Sequence, residues 1–95
     1  MPHDYFDGAY AAAVEYRVYR ELVQAADGAG RRGPLVKRMC RKLAAALAGN
    51  GCEHAADAAD LEDLYLECYP GCGPKSIALL RGMFPYKGDG SHGNR

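Results

Sequence analysis

Tryptophan is absent from this 95-residue chain and phenylalanine occurs only twice, so its aromatic surface is almost entirely its seven tyrosines. Net charge is absent too: twelve Lys and Arg balance twelve Asp and Glu. That excludes a generally basic nucleic-acid coat, so any such contact must be local. No apolar run approaches the roughly 20 residues of a membrane span. The start, Met1-Pro2-His3-Asp4, lacks the basic-then-apolar layout of a secretory signal. With four cysteines, this predicts a cytoplasmic chain carrying free thiols. No window alternates apolar and polar residues as a strand would, and helix formers dominate. The expected fold is all-α: a compact bundle of four to five short helices.

Recognisable catalytic sets are missing as well. His54 stands near Asp57, but no motif places a serine or activated cysteine beside them, and His3 and His92 fall in expected tails. Gly28-x-Gly30-x-x-Gly33 matches the dinucleotide fingerprint only formally, because no strand precedes it. Cys52, His54, Cys68 and Cys72 are four conceivable zinc ligands, without the tight Cys-x2-Cys pairing that zinc sites favour. No enzyme activity, metal, cofactor or small-molecule substrate is expected.

What is present begins with a helix expected over 7–26, capped by Asp4 or Asp7. Tyr10, Val14, Val18, Leu22 and Ala25 recur at helical spacing as its core face. A second stripe runs through Ala12, Tyr16, Tyr19 and Val23. It either lies on the core with wet hydroxyls or serves a partner. Glycines over 27–33 mark a loop, and Pro34 opens a second helix that ends at Gly49-Asn50-Gly51. Leu35, Met39, Leu43 and Leu47, with Val36 and Cys40 beside them, form its expected core face. Opposite lie Lys37, Arg38, Arg41 and Lys42, which with Arg31 and Arg32 make six bases in twelve residues. Such a run is a solvated face or a local anion surface.

The charge then reverses. Glu53, Asp57, Asp60, Glu62, Asp63 and Glu67 are six acids in fifteen residues without a base. Short helices are expected over 54–59 and 61–69, the second capped by Asp60. Leu61 and Leu64, with Tyr65 and Cys68, are its expected core contacts. Ile77, Leu80 and Phe84, with Met83 alongside, give the inward stripe of a last helix that Pro85 and Gly88 end. Residues 1–86 read as a single helical domain whose core unit spans 34–84. Residues 87–95, glycine-rich and polar, read as a disordered tail.

Between the last two helices, Tyr69-Pro70-Gly71-Cys72-Gly73-Pro74-Lys75-Ser76 leaves room only for a tight reversal. Gly71 and Gly73 supply positive φ or close approach, Cys72 an apolar plug, and Pro74 the first helical position. From Leu66 to Ile77 the chain resembles the helix-hairpin-helix motif. Leu66, Tyr69 and Cys72 fill its apolar positions, with tyrosine and cysteine replacing the usual leucine and isoleucine. Gly71 to Arg81 is also similar to the end of the C-terminal domain found in the alpha subunit of RNA polymerase. That likeness covers about 35–84.

The resemblance implies contact with a DNA or RNA phosphate backbone without sequence specificity, through Gly71, Gly73, Lys75 and Ser76. Lys37, Arg38, Arg41 and Lys42, or Arg31 and Arg32, extend that contact if they share a face with the hairpin. The alternative is an adaptor or inhibitor that docks on another protein, such as one of the nucleic-acid machinery, through Tyr16, Tyr19, Asp60, Asp63 and Glu67. An accessory protein of a phage or mobile element would suit that alternative.

Overall fold

In the computed structural model the described residues are 2–88, with side chains described from residue 8. The order is α1 (Pro2–Gly28), α2 (Pro34–Gly49), a 3-10 helix (Ala55–Asp60), α3 (Asp63–Glu67) and α4 (Pro74–Met83). No strand occurs among the described residues, and the molecule is a small all-α bundle.

α1 and α2 form the scaffold. Val14, Val18, Leu22 and Ala26 are buried on α1, and Val36, Cys40, Leu43, Ala44, Ala46 and Leu47 on α2. Each steps mainly by three or four residues, which keeps a side-chain row on one face of a 3.6-residue turn. Completely burying a leucine or valine contributes about 1.5–3 kcal/mol, so these two facing rows supply most of the cohesion.

The expected α1 row needs two corrections. Tyr10 is 59 % exposed because residues 8–13 lie outside the core, and its hydroxyl donates to Glu53 Oε2 at 3.1 Å in the segment after α2. Ala26 is fully buried in place of the half-buried Ala25, since steps of four drift slowly around the helix. α1 also begins at Pro2, so Asp4 and Asp7 fall inside it and neither starts it. On α2, Leu35 is exposed rather than buried, because the core face is centred on the 36–40–43–47 row.

α2 starts without a side-chain cap, on Gly33 with Pro34 at the first position. It stops as its glycines require. The Cys52 N–H reaches back to the Leu47 carbonyl at 3.0 Å across Gly51, whose φ is +88°. This is the left-handed closure that glycine makes cheap.

The acidic stretch packs against α1 largely through polar contacts. Asp57 accepts the N–H groups of Glu53 and His54, both at 3.1 Å, and starts the 3-10 helix. From α1, the Glu21 carboxylate accepts the Ala55 N–H at 2.8 Å and meets His54 Nδ1 at 3.0 Å. The Arg17 guanidinium donates to the Glu53 carbonyl at 2.8 and 3.0 Å.

α3 is shorter than expected. Leu61 and Glu62 are extended, so the helix begins at Asp63 with Glu62, not Asp60, at its cap position. Leu66 is its buried anchor, whereas Leu64, Tyr65 and Cys68 face outward. α4 buries Ser76, Ile77, Leu79 and Leu80, with Met83 and Phe84 packed against the core.

Arg81, the second base after the acidic run, ties this half together. Its guanidinium donates to Asp63 Oδ1 and the Ala58 carbonyl, both at 2.7 Å, to the Phe84 carbonyl at 3.2 Å, and to the Leu61 carbonyl. Lys87, expected at the start of a loose tail, donates its N–H to the Ala59 carbonyl at 2.9 Å. The rest of the tail expectation, 89–95, lies outside the described residues.

Candidate nucleic-acid interface

The turn between α3 and α4 is built as its residue types require at Gly71, with φ +85°, and at Cys72, which is 5 % exposed. The Cys72 thiol donates to the Lys42 carbonyl at 3.5 Å, and its N–H to the Tyr69 carbonyl at 3.2 Å. Burial pushes that thiol up from its ordinary pKa, with the nearby Lys42 ammonium acting in the opposite direction. Cys72 is therefore a packed plug, not a nucleophile. Pro74 opens α4 at its first position.

Two members of the expected phosphate set stand differently. Gly73 has φ −89° and ψ −173°, an extended conformation open to any residue, and a Cβ there would meet nothing within 4 Å. Ser76 is 5 % exposed, and its hydroxyl donates inward to the Gly71 carbonyl at 3.4 Å. That hydroxyl closes the turn and faces away from any surface ligand. Lys75 is exposed. Among the described residues no carbonyl accepts the N–H groups of Gly71, Gly73, Lys75 or Ser76. These amides carry the partial positive charge of a helix start.

Lys42 joins the basic face of α2 to this turn. Its methylenes lie across Gly71, so closely that a Cβ on Gly71 would fall 2.6 Å from Lys42 Cδ. The other bases diverge. Arg41 sits over the Tyr19 ring, 5.5 Å from its centroid, on the α1 side. Arg31, Arg32 and Lys37 line a separate groove of about 560 Å3 with Val23, Pro34 and Val36, and Arg32 pairs with Asp27. Arg38 is exposed one turn before Lys42.

The turn also borders an acidic groove. Asp63 and Glu67 line a groove with Gly73, Pro74, Ile77 and Arg81. Asp63 is held by Arg81, Asp60 pairs with Lys87 at 3.5 Å, and Glu67 is exposed. The turn thus has both a cation and carboxylates beside it.

The residues of the alternative reading separate in the same way. Tyr16 is 61 % exposed, while Tyr19 is half-buried against the core. Their rings stack at 6.3 Å with a 29° interplanar angle, and Arg20 lies 5.9 Å from the Tyr16 centroid. The acids Asp60, Asp63 and Glu67 belong to the other half of the molecule.

Sequence reasoning passed over three residues that hold the frame: Arg81, Glu21 and Arg17. Arg81 carried little signal, since Lys75 is the first base after the run of six acids and Arg81 only the second. Glu21 and Arg17 carried none, because their partners, backbone and side-chain alike, are more than thirty residues away. Burial acts to raise the Glu21 pKa, but the Ala55 N–H, His54 and Arg17 outweigh it and leave it below its ordinary value.

Cys40, Cys52 and Cys72 are buried and Cys68 is exposed. Burial raises the pKa of the three buried thiols. Among the described residues no three His, Cys, Asp or Glu side chains converge to hold a metal ion. Nor is any described helix long and apolar enough to cross a membrane. No family model, curated protein or solved structure matches the chain.

Proposed function

We infer that α3, the turn and α4 act as a helix-hairpin-helix, and that this is a small non-enzymatic cytoplasmic domain touching a DNA or RNA backbone without reading sequence. The observation that carries the reading is Lys42 lying across Gly71. It brings a second cation to a turn that already offers Lys75 and several uncommitted amides. A phosphate there would meet amides and ammonium groups together, the combination that favours anions at helix starts. Contacts of this kind position a protein on the backbone without specifying bases.

The size of the effect follows from the charge count. Two lysines neutralising about two phosphates give a log–log salt slope near −2. Affinity should then fall by roughly 10-fold between 50 and 200 mM salt. The carboxylates of Asp63 and Glu67 beside Gly73 oppose a phosphate and keep the affinity modest.

Fluorescence anisotropy with labelled mixed-sequence DNA and RNA tests this, at low and moderate salt. Lys75→Glu and Lys42→Glu should each weaken binding to every sequence alike and flatten the salt slope by about 1. Absence of binding at low salt, or unchanged binding in both variants, would overturn it. The adaptor reading draws on one observation, the outward-facing Leu64 and Tyr65 beside Glu62 and Asp63. It predicts protein capture that survives Lys75→Glu.

A further inference from the structure

The crest of α2 has two flanks. Arg41 leans to α1 and covers Tyr19, while the next residue, Lys42, leans to the turn and covers Gly71. Arg38, one turn earlier, falls between them on the solvent side of the helix by its 3.6-residue period. The α2 crest thus carries a cation toward the α3–α4 turn, one toward the tyrosines of α1, and Arg38 between them.

Those tyrosines are set as a platform. A helical side chain leans toward the helix start, so Tyr16 lies over the turn containing Ala12, and Arg20 lies over Tyr16. Ala12 and Ala44 border the cleft beside Tyr16, Tyr19 and Arg41, and of the two rings Tyr16 is the exposed one. Glu15 is the acid in that cleft. Stacked rings interleaved with arginines match the chemistry of an unpaired strand, whose bases offer flat π-faces and whose phosphates offer charge. A duplex keeps its bases stacked inside and presents no face to the rings.

We propose that the nucleic acid held by the hairpin is single-stranded, and that it crosses the α2 crest so that a base stacks on the exposed ring of Tyr16. The proposal rests on the hairpin reading and adds the strand's form and path. Arg38, Arg41 and Lys42 follow its backbone, and Tyr16 is the outermost stacking surface.

The test compares a labelled single strand of about 12 nucleotides, a length within the range of small stacking platforms, with its duplex form and the matching RNA strand. The intact chain is used, with Tyr16→Phe, Tyr16→Leu, Arg38→Glu and Lys75→Glu. Native protein should bind the single strand roughly 10-fold more tightly than the duplex. Tyr16→Phe should retain this preference and Tyr16→Leu should abolish it, with circular dichroism unchanged, because leucine keeps apolar bulk without a π-face. Arg38→Glu should weaken single-strand binding and reduce its salt slope.

Equal affinity for both forms, with Tyr16→Leu silent and Lys75→Glu weakened, overturns the single-strand path and leaves the hairpin reading standing. A Tyr16 effect with Lys75→Glu silent removes the hairpin and the continuous path together. Binding of neither nucleic acid, alongside a Tyr16-dependent protein complex, overturns both in favour of docking.

Discussion

The two halves of this molecule are held by different forces. α1 and α2 meet along complementary rows of buried aliphatic side chains. The segment from Glu53 to Phe84 has shorter elements and fewer apolar residues, and borrows its order from polar anchors: Glu21 and Arg17 from α1, and Arg81 from α4. An aliphatic row tolerates small shifts because the hydrophobic effect is non-directional. Hydrogen bonds to a guanidinium or carboxylate do not, because geometry decides their strength. The candidate site sits where the halves join, with Lys42 from the first lying over Gly71 of the second.

Mutations can break this contrast from either side. The largest effect is expected from Leu43→Ala in the fully buried α2 row, about 3–5 kcal/mol of stability lost. A lowered urea midpoint with an unchanged slope would report it; a loss below about 1 kcal/mol would mean that the scaffold is not the apolar half. Arg81→Met keeps much of the bulk but abandons the carbonyls of Ala58, Leu61 and Phe84, at a cost of about 2–4 kcal/mol. Hydrogen exchange should then rise in the 55–84 segment well before it rises in α1 and α2. Uniform exchange across the chain would show that the two halves do not differ in this way.

A smaller effect belongs to the joint itself. At Gly49 an added Cβ would fall 2.0 Å from the Tyr69 hydroxyl oxygen, so Gly49→Ala should cost about 1–3 kcal/mol by overpacking. Tyr69→Leu in the same chain should recover part of that loss in thermal melts, and additive losses would refute the contact. The smallest effect concerns Glu21. Its pKa is lowered on folding, so its stabilising contribution is present above the ordinary carboxylate value and lost as pH falls through the folded-state value. Glu21→Gln should therefore remove about 0.5 kcal/mol near neutral pH, a discount for its partial exposure, and nothing in strong acid. A difference between the two proteins that grows toward acid pH would reverse the sign and refute the linkage.

Legibility tracked the type of force. The α1 and α2 rows were readable because burial repeats with the helix, and Val14, Val18, Leu22, Leu43 and Leu47 fell where the period put them. Of the exceptions, Tyr10 lies beyond the buried part of its row, and Leu35 lies one position off the face on which its neighbour Val36 is buried. In the second half the elements are too short for a period to establish a face. Leu64 and Leu66 could exchange roles on composition alone, and only packing against α2 makes Leu66 the buried one. Within the turn, Gly71, Cys72 and Pro74 could be assigned from local chemistry. The inward hydroxyl of Ser76 and the extended backbone of Gly73 could not, since each depends on how α4 is seated.

By itself the sequence determined the helical character, the stops at Gly49-Asn50-Gly51, the reversal at Gly71 and the segregation of bases from acids. These are properties of neighbouring residues, decided by dihedral preferences and by period. The tertiary structure alone decided which charges meet. It sent Lys42 to the turn, Arg41 to Tyr19, and Arg31 with Arg32 to a groove of their own. The physical reason is that one side of a helix holds several directions. Residues adjacent in sequence point about 100° apart, so a single basic run is divided among whatever elements the fold packs beside it.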